Sequence, residues 1–280
     1  MTDPSVHVPT AGVAMTAIGV ALIRERESRR PDRLYDDPLA AAFVAAARTG
    51  FDPRRWARLE ELADQFFEGR SLAVRVVDDS VTEAVAQGCG QIVLLGAGLD
   101  TRVFRLGLPA ETVFFEVDLP ELFEFKEPVL AAHDARPDCV RRVVSADLRG
   151  DWAGALAGQG FGPGVPTLWV DEGVLNYLPR NDAHAVAETI TGLSAPGSRF
   201  GIGRFEVDSA APQYRALREL VADDSAAVRP VNGLGPDSES WFAEHGWRTV
   251  FRAWNDLVAP YGRPGMGDVP GMGTVLAIRE

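Results

Sequence analysis

The sequence predicts an α/β fold: a mostly parallel sheet of seven strands with an antiparallel last pair, preceded by a helical N-terminal region. Three observations predict it. Roughly the first 90 residues carry helical apolar spacing. From Ile92 onward, short β-branched runs alternate with helical stretches, the pattern of βαβ units in a parallel sheet. The final two runs are joined by the Gly- and Pro-rich connection Pro260 to Met272, with no helix expected between them, so they pair antiparallel.

Residues 1–12 lack periodicity. Ala14 to Ser28 has an apolar side and ends in the charged run Arg24-Glu25-Arg26-Glu27-Ser28-Arg29-Arg30, expected to be a solvated helix end. Asp37-Pro38 reads as an N-cap with Pro at N1, opening a helix through Ala47. Helical spacing resumes from Pro53 to about Gln87, as two helices broken near Gly69. Strands are expected at Ile92–Leu95, Thr112–Val117, Val140–Ser145, Thr167–Asp171, Arg199–Arg204, Arg248–Ala253 and Gly273–Ile278. The intervening helices are Pro120–Ala132, Asp151–Ala157, Asp182–Leu193, Ala211–Ala222 and Asp237–His245.

The 280 residues are 46% hydrophobic, enough for a sizeable core. A net charge of −12 argues against nucleic acid and against an anionic membrane surface, both of which need a basic face. Cys89 and Cys139 have no metal spacing and read as reduced thiols of a cytoplasmic protein. Met1-Thr2-Asp3-Pro4 lacks the basic and apolar regions of a signal peptide. The longest strongly apolar run, Leu39 to Ala47, is far short of the ~18 residues of a membrane span. No metal site is expected.

In a doubly wound sheet, ligands sit at the carboxyl ends of the strands. The first strand delivers Gly96-Ala97-Gly98-Leu99-Asp100-Thr101-Arg102. Two glycines let the main chain turn sharply beside a ligand. A dinucleotide fingerprint wants a third glycine at the position of Thr101, and a pyrophosphate would not welcome Asp100. The second strand ends at Asp118-Leu119, about 20 residues further on, where a carboxylate can accept both hydroxyls of a ribose. Glu116 shares its side of the strand, and capping of the next helix is the alternative role for Asp118. The third strand ends at Asp147-Leu148, where a carboxylate can accept from an exocyclic amine and a backbone N–H can donate to a ring nitrogen; a helix cap is again the alternative. The fourth delivers Asp171 and Glu172, pointing opposite ways, then Tyr177. A carboxylate there suits a sulfonium or an ammonium; core packing is the alternative for Tyr177.

Five segments in this order resemble the leucine carboxyl methyltransferase-like family of S-adenosylmethionine-dependent methyltransferases, in its actinobacterial branch of polyketide O-methyltransferases. The segments are 28–40 (Ser-Arg-Arg-Pro-Asp-Arg-Leu-Tyr-Asp-Asp-Pro-Leu-Ala), Leu95 to Arg102, Glu116 to Pro120 with Lys126, Ala146-Asp147-Leu148, and Glu172 to Leu178. The likeness covers about residues 14–205. It implies a Rossmann-like methyltransferase sheet under an N-terminal helical cap, and S-adenosyl-L-methionine as cofactor. It implies that Gly96, Ala97, Gly98 and Asp100 approach the methionine part, that Asp118 and Leu119 hold the ribose, and that Asp147 and Leu148 hold the adenine. Glu172 would lie near the amino group, and Arg75 would pair with the cofactor carboxylate. Glu172 and Tyr177 are the candidate catalytic residues. Asn176 and Asp171 depart from the family, which is usually apolar at the first and small or apolar at the second.

One domain over 1–280 follows: a helical cap (1–90), a cofactor-binding core (91–204), a substrate insert (205–246) and a terminal strand pair (247–280). The expected reaction is in-line methyl transfer to an oxygen, a carboxylate or acidic hydroxyl of a small molecule or peptide, with alignment as the protein's main contribution. His7, His133, His184 and His245 offer no evident base. Rival readings are a nicotinamide oxidoreductase, disfavoured by Thr101 and by the lack of a Tyr-x-x-x-Lys motif, and a non-catalytic cofactor-binding scaffold. Pro212, Tyr214, Trp241 and Phe242 either line the acceptor pocket or belong to the core. Ala14 to Arg30, flanked by Gly12 and Pro31, is expected to act as a lid, with packing on the sheet edge as the alternative.

Overall fold

The computed structural model describes residues 7–10, 12, 14–204, 215–216, 233–263 and 271–280. Pro212, Tyr214 and all but two residues of the predicted helix Ala211–Ala222 lie outside the described residues. Helices α1 (Ala14–Ser28), α2 (Pro38–Arg48) and α3 (Pro53–Ala86) come first. The sheet elements follow: β1 (Gln91–Leu95), α4 (Arg102–Arg105), β2 (Val113–Asp118), α5 (Pro120–Ala132), β3 (Val140–Ser145), α6 (Trp152–Gly158), β4 (Thr167–Asp171), α7 (Arg180–Leu193) and β5 (Arg199–Arg204). The chain ends with α8 (Ser238–Glu244), β6 (Trp247–Ala253), α9 (Trp254–Val258) and β7 (Gly273–Arg279).

The strand order is β3-β2-β1-β4-β5-β7-β6. β1 to β5 pair in parallel, and β7 lies antiparallel between β5 and β6. The order reverses between β1 and β4, so their carboxyl ends open a crevice. The alternation along β1 explains the two layers. Val93 and Leu95 face a core with Trp152 and Leu156 of α6, Val186 and Ile190 of α7 and Phe242 of α8. Ile92 and Leu94 face the other side, against Val81 and Ala84 of α3 and Val103 of α4.

Three expectations need correction. Gly69 does not break α3, which runs unbroken for 34 residues. A helical glycine costs only ~1 kcal/mol, less than α3 recovers by burying Trp56, Leu59, Leu62, Leu72 and Val81. The connection from β6 to β7 does contain a helix, α9, because Trp254 and Val258 pack on Leu72 and Val76 of α3. The charged end of α1 is not uniformly solvated: Arg24 and Glu27 are buried. Glu27 accepts from Leu34 N (2.6 Å) and pairs with Arg263 (2.8 Å). The spacing carried this signal, since Arg24 and Glu27 continue the three-residue steps from Ile18 and Ala21 along the buried stripe.

Nor does α1 have the setting of a lid. Met15, Ile18, Leu22 and Ile23 are almost fully buried in one cluster with Phe43 of α2, Leu59 of α3 and Phe125 of α5.

Candidate active site

The turn after β1 is built by the protein before any ligand is considered. Gly96 and Gly98 have φ of +64° and +48°, in the left-handed region. A Cβ on Gly96 would meet the Val174 side chain at 2.8 Å, and one on Gly98 would meet the Ala17 Cβ at 3.1 Å. Both glycines therefore let other segments close in: the turn after β4 on one, α1 on the other. Ala97 N donates to Val117 O, tying the turn to β2 (3.0 Å).

Asp118, at the end of β2, accepts from Gly98 N (2.5 Å) and Leu119 N (2.7 Å). Burial raises its pKa, against the pull of these two donors. Glu116 plays another part: it is fully buried and paired with Lys126 (2.8 Å) and Arg141 (2.7 Å). Asp147, after β3, has both oxygens on Arg149, with Oδ2 2.5 Å from Nη2, and this pairing lowers its pKa. It is partly exposed at the sheet end, so an incoming base would share it with Arg149.

The β4 end brings Glu172 into a buried charge network centred on Arg102, whose side chain is 1% exposed. Arg102 donates to Asp78 (2.7 Å), to Asp100 (2.7 Å), to Glu172 and to Val74 O (3.2 Å). Asp78 also takes a bidentate pair from Arg105. This hub joins α3, the glycine turn and the β4 end. The motif containing Arg102 was legible, but the role of Arg102 was not, because its partners lie on three separate segments.

Asp171 turns the other way. Its Oδ1 accepts from Gly173 N (3.0 Å) and Leu175 N (3.3 Å), and burial pushes its carboxyl up to about 6. It caps the turn that carries Asn176 and Tyr177, and Tyr177 is 44% exposed. Phe242 is core, edge-on to Phe200 and Trp247, and Trp241 packs on His184 and His245. The rings of His133, His184 and His245 lie at the carbonyls of Val129, Leu234 and Trp241.

Arg75 does not join this group. Its guanidinium donates to Leu34 O (2.7 Å) and Asp79 (2.9 Å) and lies over the Tyr261 ring. It lines a groove of about 630 Å³ with Tyr35, Asp79 and Glu83, which Gly96, Gly98 and Asp118 do not line. The arginine of α3 that does reach the β4 end is Arg70, one-third exposed, with Nη1 3.9 Å from Glu172.

A family model described as leucine carboxyl methyltransferase matches residues 17–191. A Parafrankia protein named "Putative S-adenosyl-L-methionine-dependent methyltransferase" is 42% identical, over 85% of this chain and 78% of that protein. A Streptomyces coelicolor protein of the same description is 40% identical, over 94% of this chain and 93% of that protein. A crystal structure described as a putative methyltransferase from Thermobifida fusca shares the fold, with a TM-score of 0.54 at 19% identity, covering 99% of this chain and 98% of that one.

Proposed function

The chain belongs to the leucine carboxyl methyltransferase family and is an S-adenosylmethionine-dependent methyltransferase; on that premise we propose that it methylates an oxygen, of a carboxylate or an acidic hydroxyl on a small molecule or peptide. The observation that supports this reading most is the convergence of the glycine turn, Asp118, Asp147 and Glu172 at the carboxyl ends of four adjacent parallel strands. The set suits a cofactor carrying a ribose and a base: Asp118 stands at the end of β2, and Asp147 and Glu172, each shared with an arginine, stand at the neighbouring strand ends. When bound, that cofactor supplies an electrophilic methyl on a sulfonium.

In this reading, Gly96 to Asp100 border the methionine part, with Glu172 facing its ammonium. Asp118 and Leu119 hold the ribose, and Asp147 with the Leu148 backbone holds the adenine. Tyr177, partly exposed on the turn after β4, borders the acceptor. A carboxylate acceptor is anionic at neutral pH and needs no base. A hydroxyl acceptor needs one.

The test is transfer from methyl-labelled cofactor to a panel of small carboxylic acids, phenols and amines. Label recovered as a base-labile ester or a base-stable aryl ether supports oxygen transfer, and label confined to nitrogen overturns it.

Asp118→Ala should weaken S-adenosylhomocysteine binding at least tenfold in calorimetry. Two charge-assisted bonds to ribose are worth roughly 1.5–3 kcal/mol each. Unchanged affinity would remove Asp118 from the ribose site.

Arg70 and Arg75 of α3 give a second prediction. The geometry favours Arg70 over Arg75 for the cofactor carboxylate, because Arg70 shares Glu172 with the β4 end. Arg70→Gln should weaken S-adenosylhomocysteine at least tenfold but leave 5′-methylthioadenosine, which lacks the amino-acid group, within twofold. Arg75→Gln should change neither. The opposite pattern would restore the carboxylate to Arg75.

A further inference from the structure

α1 reaches the cofactor turn through one buried side chain. The Arg24 side chain is 3% exposed. Its Nη2 donates to Leu99 O (2.6 Å), and its Nη1 donates to Thr101 Oγ1 (3.0 Å) and Asp37 Oδ2 (2.7 Å). The Thr101 hydroxyl in turn donates to the same Asp37 oxygen (2.6 Å). Asp37 Oδ1 caps α2 by accepting from Ala40 N (3.1 Å), and Asp37 N donates to Ser28 Oγ on the last turn of α1 (2.9 Å). Two turns of α1 further back, Ala17 lies against Gly98.

We propose that Arg24 is a positioning residue for cofactor binding. It grips the exit of the Gly-x-Gly turn, at Leu99 and Thr101, and so fixes the backbone that the cofactor meets at Gly98. The inference rests on the cofactor reading above. The turn has two left-handed glycines and no regular structure of its own, so its shape is set by what holds its ends. Asp118 holds Gly98 from the β2 side, and Arg24 holds Leu99 from the α1 side. A charged donor to a buried carbonyl suits this task, since losing it would take from Leu99 O its side-chain donor and leave Asp37 with the Thr101 hydroxyl, Ala40 N and the more distant Arg105. By linkage, whatever orders this corner strengthens cofactor binding, and bound cofactor protects the corner by the same factor.

The experiment compares Arg24→Met, Arg24→Lys and a control, Ile23→Ala. Ile23 is buried in the same helix turn but contributes to the apolar cluster rather than to the polar corner. Each variant is studied below its melting temperature, with S-adenosylhomocysteine as the calorimetric probe. Ile23→Ala should lose thermal stability and keep its affinity within twofold of wild type. Arg24→Met should lose affinity at least tenfold, and Arg24→Lys should recover part of it by keeping one charged donor. Hydrogen exchange on wild type should show slower exchange at Thr101 and at the α2 N-terminus when the probe binds. If Arg24→Met does not fold, the same comparison is made with Arg24→Lys, expected to be at least threefold weaker than Ile23→Ala. Equal affinities for the arginine variants and the control overturn the positioning role alone. A wild-type protein that does not bind the probe overturns the cofactor reading, and this inference with it.

Discussion

Replacing Arg102 by methionine is expected to destabilise the fold by roughly 3–5 kcal/mol and to abolish measurable cofactor binding. Methionine fills much of the same space, so the loss is electrostatic rather than a cavity. It strands Asp100 and leaves Glu172, among the described residues, with Arg70 at 3.9 Å, while Asp78 keeps Arg105. Removing one partner of a buried ion pair costs far more than the pair contributes, because the remaining charge has lost both water and its counter-ion. Burial alone would raise the Asp100 carboxyl, but Arg102, with Arg24 and Arg105 behind it, holds it below the ordinary value. The sign of the pH dependence follows. In the wild type a depressed carboxyl pKa stabilises the fold above about pH 4 and ceases to do so as pH falls through the folded-state value. In the variant the stranded carboxylate is a penalty above its raised pKa, relieved by protonation. The gap between the two proteins should therefore be widest near neutral pH and narrow below about pH 4. Urea unfolding at several pH values measures it, and a gap constant across that range would mean that packing, not charge, carries the effect.

The strands were legible because the signal is local. β3, β4 and β5 begin and end at the residues expected from the sequence, since β-branched or aromatic residues recur in each short run and a Gly, Pro or Asp lies within a few residues. The strand ends then named the rim, because a doubly wound sheet leaves only one place for a ligand. What was not legible depends on distant partners. Arg24 looked like one charge among seven consecutive polar or charged residues, yet it pairs with a carbonyl 75 positions away. Arg75 sits in a segment that matches the family pattern, but the direction of its side chain is set by Leu34 and Tyr261, which no local spacing reveals. The short helix α9 escaped notice because its reason to exist is Leu72 and Val76 on α3, not its own five residues.

The same non-local packing decides what the N-terminal helix does. Deleting residues 1–30 is expected to prevent folding rather than to yield a folded protein without a lid. Met15, Ile18, Leu22 and Ile23 are each at most 3% exposed. At about 1.5–3 kcal/mol for burying one such side chain, the four together contribute roughly 6–12 kcal/mol, comparable with the whole stability of an ordinary domain. The deletion also uncovers Phe43, Leu59 and Phe125, the apolar faces of three other helices. It takes Arg24 from Asp37, leaving that carboxylate the Thr101 hydroxyl, Ala40 N and the more distant Arg105, and it removes one of the donors to Thr101. A mobile lid would show a weak, separable contact surface; α1 is instead wedged among α2, α3 and the glycine turn. The truncated chain should be recovered as aggregate, or as a monomer lacking a cooperative melt by circular dichroism. A soluble truncation melting within a few degrees of the full chain would reinstate the lid, and its turnover would then show whether α1 is needed only for transfer. The milder Ile18→Ala gives a graded version of the same measurement. It removes a fully buried side chain while keeping the helix, and should cost about 2–5 kcal/mol without uncoupling α1 from the turn.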